Sequence, residues 1–212
     1  MLELDSDYAG PGIAGTDEAG RGPLCGPVCA AAVMLDPEQP IDGLNDSKKL
    51  TAERRDALYA AIQKQALSWS IAWCTAAEID RYNILQASHL AMCRAIEALD
   101  RQPERVLVDG NRVPRLLRLP ATSVVKGDGR HSAIAAASVL AKVARDRYMQ
   151  ALHRQYPAFE LDRNKGYPTP AHLAALTAQG PSPEHRRSFS PVRAALGLQP
   201  EPQITDQGRL EL

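Results

Sequence analysis

Residues 13–22 read IAGTDEAGRG, a short apolar run that ends in two adjacent acids and leads into an arginine between glycines. The apolar part predicts a strand over residues 13–17 that ends at Asp17 and Glu18. A hard divalent cation prefers oxygen ligands, and adjacent carboxylates at a strand end supply them. The glycine-flanked turn can bring backbone N–H groups and a cation close to a phosphodiester. This stretch therefore predicts a metal-binding strand end beside a phosphate-binding turn.

The rest of the chain predicts an α/β fold. Apolar runs bounded by turn residues predict further strands over residues 28–34, 68–74, 105–109 and 121–125. Helical spacing predicts helices that begin at the Thr51 cap and over residues 84–99, 132–154, 170–179 and 190–197. Strands followed by strand–helix alternation indicate a mixed sheet with helices packed on it.

Two of the predicted strands end in acids, since Asp109 closes the fourth strand as Asp17 closes the first. If these strands are parallel neighbours, both carboxylates lie at the same edge of the sheet. Asp128, in a glycine-flanked loop, and the longer side chain of Glu18 can reach the same place. Carboxylates so gathered can hold two divalent ions for phosphodiester hydrolysis, which predicts a nuclease. The alternative for each acid alone is an ordinary solvated turn residue.

Composition sets the outer bounds. The chain has 212 residues, of which 44% are hydrophobic, and this predicts one domain with one substantial core. We expect a cytosolic protein without a membrane span, because no apolar run approaches 18 residues and no signal pattern opens the chain. The four cysteines, Cys25, Cys29, Cys74 and Cys93, fit no zinc spacing and predict buried reduced thiols.

Charge is unevenly distributed along a chain whose formal net charge is zero. Residues 1–104 contain 9 Lys and Arg against 16 Asp and Glu, whereas residues 105–197 contain 15 against 6. A basic second segment is typical of a surface that contacts a phosphate backbone, although the same charges can also scatter over a folded surface.

Other polar residues are weaker candidates. Ser47 and Lys48 lie in a loop suited to phosphate contacts, with helix capping as the alternative. Tyr167, between glycine and proline, either stacks on a sugar or base or covers the core. The cluster at residues 185–188 has the composition of a nucleic-acid contact, and Asp146 is expected to pair with a lysine four residues earlier.

Three histidines, His131, His153 and His172, show no metal-ligand spacing. We expect them to be surface or capping residues.

Seven segments taken together closely resemble bacterial ribonuclease HII, the type 2 ribonuclease H. They are DEAGRGPL (17–24), LNDSKKL (44–50), VDGN (108–111), VKGD (125–128), AAAS to KVARD (135–146), KGYPT (165–169) and HRRSF (185–189). The similarity spans residues 12–197. The resemblance implies a ribonuclease H-like mixed five-stranded sheet flanked by helices, with a C-terminal helical extension at about 160–197. It also implies a catalytic domain over residues 1–197, and we expect a disordered tail over 198–212.

The same resemblance implies a function. The family cleaves the RNA strand of RNA–DNA hybrids and nicks duplex DNA 5′ of a single ribonucleotide, leaving 3′-hydroxyl and 5′-phosphate ends. By resemblance, Asp17, Glu18, Asp109 and Asp128 bind the catalytic Mg²⁺ or Mn²⁺ ions. The backbone of Gly20, Arg21 and Gly22 reads the 2′-hydroxyl, and Tyr167 packs on the adjoining deoxyribose.

Three alternatives stay open at this point. Ribonuclease HIII shares the chemistry but usually carries an N-terminal domain, and here only about 12 residues precede the first strand. A silent hybrid-binding module predicts a missing acid, and a phosphotransferase predicts a phosphate-binding glycine loop that the sequence lacks. We expect a monomer, and a replication-clamp peptide in the tail is possible but unsupported, because residues 203–212 lack an aromatic pair.

Overall fold

Five strands form one mixed sheet in the computed structural model, which describes residues 10–45 and 47–199. They are β1 (Ile13–Ala19), β2 (Val28–Met34), β3 (Ser68–Cys74), β4 (Arg105–Asp109) and β5 (Ala121–Val124). Their order across the sheet is β3-β2-β1-β4-β5. The β1–β2 and β2–β3 pairs are antiparallel, and the β1–β4 and β4–β5 pairs are parallel. The predicted fold class is confirmed.

The register of β1 against β4 decides where the acids lie. Thr16 stands opposite Val108 in this parallel pair. Asp17 and Asp109 are the next residues along the two strands. The sequence predicted that these two carboxylates meet only if the strands are parallel neighbours. The strands are parallel neighbours, so the carboxylates lie side by side at one edge of the sheet.

Helices cover both faces of the sheet. On one face, α2 (Ala76–Glu97) packs against alanines and valines of β1, β2 and β4. On the other face, α1 (Ala52–Gln65) and α3 (Ser132–Gln155) form a second core with β2. The start of α3 lies directly on β1, because a Cβ at Gly15 would stand 2.2 Å from the carbonyl carbon of Ala133. This close approach brings α3 to the acidic edge.

Three short helices follow α3, and they match the predicted C-terminal extension. They are α4 (Leu161–Asn164), α5 (Pro170–Gln179) and α6 (Ser190–Ala195). Leu24, in the β1–β2 loop, packs with Leu176 and Val192 of this extension. The extension thus covers the turn that follows the acids of β1. The predicted tail over 198–212 falls, from residue 200 onward, outside the described residues.

Some predicted boundaries were wrong. The helix expected at 84–99 is the second half of α2, which begins at Ala76 behind a capping box formed by Thr75 and Glu78. Asn83 interrupts α2 with φ 63°, and its side chain accepts a hydrogen bond from the N–H of Gln86, so the helix restarts there. In the described part of the chain, no helix is long and apolar enough to span a membrane.

Candidate active site

The acidic edge of the sheet is built around Asp17. Its side chain is 6% exposed, and its Oδ1 accepts a 2.7 Å hydrogen bond from the N–H of Glu18. Burial raises the pKa of Asp17 well above its usual value, and the negative charges of Glu18 and Asp109 raise it further. A buried carboxylate repelled by two neighbouring acids is a site that a cation would stabilise.

Glu18 is largely buried, with a side chain that is 11% exposed, and it is partly neutralised by Arg21. Its Oε1 lies 3.1 Å from Nη1 of Arg21, whose side chain is exposed. Burial raises the pKa of Glu18, the charge and hydrogen bond of Arg21 lower it, and the charge of Asp109 raises it. Arg21 therefore serves as the counter-ion of Glu18 in this arrangement.

Asp109 is held by the turn that carries Asp128. The N–H of Gly127 donates a 2.7 Å hydrogen bond to Oδ1 of Asp109, and the N–H of Asp128 lies 3.4 Å from the same oxygen. Gly127 and Asp128 belong to a short 3₁₀ turn, Gly127–Gly129, in which Asp128 is buried. The loop acid and the strand acid are thus fixed to each other through backbone contacts.

The chemistry of this donor set fits a divalent metal ion, because it offers only carboxylate oxygens and carries more negative charge than its surroundings neutralise. The side chains are not arranged as a complete metal-coordination site. Among the described residues, no three His, Cys, Asp or Glu side chains are grouped closely enough to hold a metal as they stand. Of these acids, Glu18 is held in an ion pair with Arg21.

Two hydroxyl groups support Asp17 from the helix side. Ser138, on α3, donates a hydrogen bond to the Asp17 carboxylate and lowers its pKa against the larger effect of burial. Ser138 lies 2.9 Å from the hydroxyl of Ser47. Ser47 was predicted to contact substrate, but its side chain is buried and bonded within the protein. The role of Ser138 was not predicted, because a serine inside a helix is common and carries no signal of its own.

The turn after β1 lies beside Tyr167. A Cβ at Gly22 would stand 3.2 Å from Cε1 of Tyr167, so the ring rests against this glycine. Tyr167 is 47% exposed, which excludes the alternative that it covers the core. Gly20 has φ +97°, and a Cβ there would lie 1.9 Å from Nε of Arg145. The predicted turn and the predicted aromatic residue therefore form one continuous exposed surface.

The structure also locates Lys48, Asp146 and the four cysteines. Lys48 is exposed in the 3₁₀ turn Ser47–Lys49, as a phosphate contact requires, whereas Asp46 of the same motif lies outside the described residues. Asp146 forms an ion pair with Lys142, with 2.7 Å between Oδ1 and Nζ, as the helical spacing predicted. All four cysteines are free and buried, which confirms the prediction of reduced thiols.

The prediction of a surface role for His172 was wrong. His172 is fully buried, and its Nδ1 lies 2.9 Å from the carbonyl oxygen of Tyr167, so Nδ1 carries the proton and donates it. Its Nε2 accepts from Nε2 of His185 at 3.0 Å, and Nδ1 of His185 accepts from Ser182. Burial lowers the pKa of both histidines, that of His185 to about 4. The two hydrogen-bonded histidines therefore hold the backbone carbonyl of Tyr167 in place through Nδ1 of His172.

The predicted nucleic-acid contact at residues 185–188 was also wrong for its first two members. His185 is 1% exposed and Arg186 is 0% exposed, so neither side chain can reach a phosphate backbone. Arg187 is exposed, but its N–H donates to Asp80. Burial and the charge of Arg145 lower the pKa of Arg186 to about 9, which leaves the guanidinium charged at neutral pH. The hydrogen bonds of this buried cation are described below.

Comparison with known proteins identifies the family. The family model described as ribonuclease HII matches residues 14–192. Ribonuclease HII of Dechloromonas aromatica is 60% identical over 186 residues, covering 88% of this chain and 94% of that protein. Ribonuclease HII of Acinetobacter baylyi is 55% identical over 186 residues, covering 88% and 98%.

Solved structures share the fold. The ribonuclease H2 of Pyrococcus horikoshii superposes with a TM-score of 0.73 at 26% identity, covering 86% of this chain and 96% of that one. The RNase HII in the PCNA:RNase HII complex of Archaeoglobus fulgidus gives 0.67 at 25% identity, with the same coverage. Bst-RNase HIII in complex with Mn²⁺ gives 0.68 at 20% identity, covering 87% and 69%, and shows the fold alone. The chain therefore belongs to the ribonuclease HII family and is a ribonuclease H endonuclease of a divalent-metal-dependent kind.

Proposed function

We propose that this enzyme cleaves the RNA strand of RNA–DNA hybrids and nicks duplex DNA on the 5′ side of a single embedded ribonucleotide. The products would carry 3′-hydroxyl and 5′-phosphate ends. The observation that supports this most strongly is that the exposed surface of Tyr167 and the turn at residues 20–22 directly follows the buried acids of β1. Carboxylates that could bind metal ions thus lie close in the chain to backbone groups and near an aromatic ring that could recognise a sugar.

Asp17, Glu18, Asp109 and Asp128 are the proposed metal ligands, and Mg²⁺ or Mn²⁺ are the proposed ions. Divalent ions held there would supply an activated water and neutralise charge on the attacking and leaving oxygens. The protein orients the donors before binding. The N–H of Glu18 fixes Oδ1 of Asp17, Ser138 supports the same carboxylate, and the N–H of Gly127 fixes Oδ1 of Asp109. Arg21 holds Glu18 until the ligand set closes.

Recognition of the substrate falls to the neighbouring surface. The backbone of Gly20, Arg21 and Gly22 is proposed to contact the 2′-hydroxyl, the group that distinguishes RNA from DNA. The ring of Tyr167 is proposed to pack on the deoxyribose next to the ribonucleotide, since it is exposed and rests on Gly22. Lys48, exposed in its turn, is proposed to contact a backbone phosphate.

A single duplex tests the proposal. We would incubate the enzyme with a DNA duplex that carries one ribonucleotide and a label at each end in turn. With Mg²⁺ we expect one nick on the 5′ side of the ribonucleotide, and with excess chelator none. An all-DNA duplex of the same sequence is the control. Cleavage of that control, or a nick on the 3′ side of the ribonucleotide, would contradict the proposal.

A further inference from the structure

The β1–β2 loop, residues 20–27, is held from beneath by one buried arginine of the C-terminal extension. Nη2 of Arg186 donates to the carbonyl of Gly20 at 2.6 Å, and Nη1 donates to the carbonyls of Arg21 at 2.9 Å and Pro23 at 2.7 Å. Nε donates to the carbonyl of Gly26 at 2.9 Å. One side chain thus holds four carbonyls of a single loop.

The main chain around Arg186 also forms hydrogen bonds with the main chain of this loop. The N–H of Arg186 donates to the carbonyl of Leu24 at 2.9 Å, and the N–H of Gly26 donates to the carbonyl of Glu184 at 2.9 Å. Cys25 and His185 form an isolated antiparallel bridge between these two pairs. The position of Arg186 relative to the loop is therefore fixed by main-chain contacts as well as by its guanidinium.

The consequence follows from the geometry of the peptide bond. In a trans peptide the C=O of one residue and the N–H of the next are planar and point in opposite directions. The carbonyls of Gly20 and Arg21 point inward to Arg186, so the N–H groups of Arg21 and Gly22 point away from it. Among the described residues, neither of these two N–H groups donates to a protein acceptor. Both residues are exposed beside Tyr167.

We infer that Arg186 is a positioning residue for recognition of the ribonucleotide: it aims the N–H groups of Arg21 and Gly22 at the sugar. The inference rests on the proposed function, since it assumes that residues 20–22 contact the 2′-hydroxyl. It extends that function by assigning the C-terminal segment a part in the discrimination between RNA and DNA.

Arginine is required for this arrangement. Its planar guanidinium presents five donors in a fixed fork, and here that fork spans four carbonyls at once. A lysine offers three donors from one point and cannot reach the carbonyls of Gly20 and Gly26 together. Arg186→Lys therefore keeps the buried charge but releases part of the loop.

The test measures discrimination rather than activity alone. Fluorescence anisotropy in excess EDTA would give the Kd of a duplex with one ribonucleotide and of the matching all-DNA duplex. For Arg186→Lys we expect the preference for the ribonucleotide to fall about tenfold, the change expected on loss of one hydrogen bond. The Kd of the all-DNA duplex should stay within about twofold of wild type, because phosphate contacts are unaffected.

A matched control separates positioning from stability. Val192→Ala removes buried methyl groups from the same C-terminal extension and leaves all four carbonyl contacts in place. It should lower the melting temperature yet keep the wild-type preference for the ribonucleotide duplex. If Arg186→Lys also keeps that preference, or if both variants lose it equally, Arg186 is only structural and the inference is wrong.

A second measurement covers the case in which Arg186→Lys does not fold. In ¹⁵N-labelled wild type, we expect the amide signals of Arg21 and Gly22 to shift with the ribonucleotide duplex and not with the all-DNA duplex. Equal shifts with both duplexes would overturn the inference. A wild-type enzyme that binds and cleaves both duplexes alike would instead contradict the proposed function itself.

Discussion

Replacing Asp17 by asparagine should stabilise the metal-free protein while it removes most of the activity. Asp17 is buried, and its pKa is raised by burial and by the charges of Glu18 and Asp109. When Asp17 is ionised, the fold therefore carries the cost of this repulsion. Asparagine is nearly the same size, and its oxygen can still accept the hydrogen bond from the N–H of Glu18.

The size of the effect follows from the spacing of the strands. Neighbouring strands lie about 4.8 Å apart, so the carboxylates of Asp17 and Asp109 are separated by roughly 5 Å. Two unit charges at that distance repel by about 3 kcal/mol at an effective dielectric constant of about 20. Burying the new amide costs about 1–2 kcal/mol, which leaves a net gain of about 1–2 kcal/mol. For a domain of this size that corresponds to roughly 2–8 °C in Tm.

Thermal unfolding in EDTA measures this gain. Because the folded pKa of Asp17 is raised, protonation relieves the repulsion in wild type as the pH falls through it, and the difference in Tm should shrink. Mg²⁺ should raise the Tm of wild type more than that of Asp17→Asn. Asp56→Asn, which breaks only an exposed ion pair with Arg147, is the control and should change Tm little. A loss of stability in Asp17→Asn, with an equal response to Mg²⁺, would refute the reasoning.

Three further variants test the surroundings of the site. Tyr167→Ala should slow nicking at a lone ribonucleotide about tenfold or more, because stacking contributes about 1–3 kcal/mol per base, while metal affinity measured by calorimetry stays unchanged; equal losses in both would make Tyr167 structural. His185→Gln should flatten the dependence of unfolding free energy on pH. The folded pKa of His185 is lowered to about 4, so wild type binds fewer protons than its unfolded chain and loses stability as the pH falls from 7 to 5. Parallel denaturation curves for the two proteins would contradict this. Gly20→Ala should cost about 2–4 kcal/mol, because its φ is positive and the new Cβ meets Arg145. Gly180→Ala, with positive φ but open space, is the control and should lose only about 1–2 kcal/mol in urea denaturation.

The acidic edge could be predicted because its acids follow apolar runs, although β1 continues past the predicted end at Asp17 to Ala19. Asp17 and Asp109 each follow a run whose burial is visible in the sequence, and the chain continues from both into glycine-rich turns. What spacing alone left open was whether the two strands are neighbours. Their parallel pairing depends on long-range contacts, and here the resemblance to a known family supplied the answer that periodicity could not.

The supporting residues could not be predicted in the same way. Arg186 and His172 look like surface residues in the sequence because both are polar and lie in a segment rich in turns. Their burial is compensated by main-chain carbonyls, such as that of Gly20, which lies 166 residues from Arg186. A carbonyl belongs to every residue and leaves no signature in the sequence, so this kind of partner is visible only in the fold.

The first half of α2 was missed for a local reason. Residues 76–82 contain two alanines, a glutamate and an aspartate but few apolar residues in helical register, so the hydrophobic periodicity did not predict a helix there. The capping box at Thr75 and Glu78 was present and would have located the start of the helix. Asn83, whose φ is positive, interrupts the helical backbone between the two halves, and this interruption could not be read from the sequence.

The most direct test of the central claim is to locate bound ions in crystals soaked with Mn²⁺, using anomalous scattering at the manganese edge. We predict anomalous peaks within coordination distance of the carboxylates of Asp17 and Asp109, with Glu18 turned away from Arg21 to join them. Peaks only at other surface carboxylates, with Asp17 and Asp109 left without an ion, would contradict the assignment of this sheet edge as the metal centre.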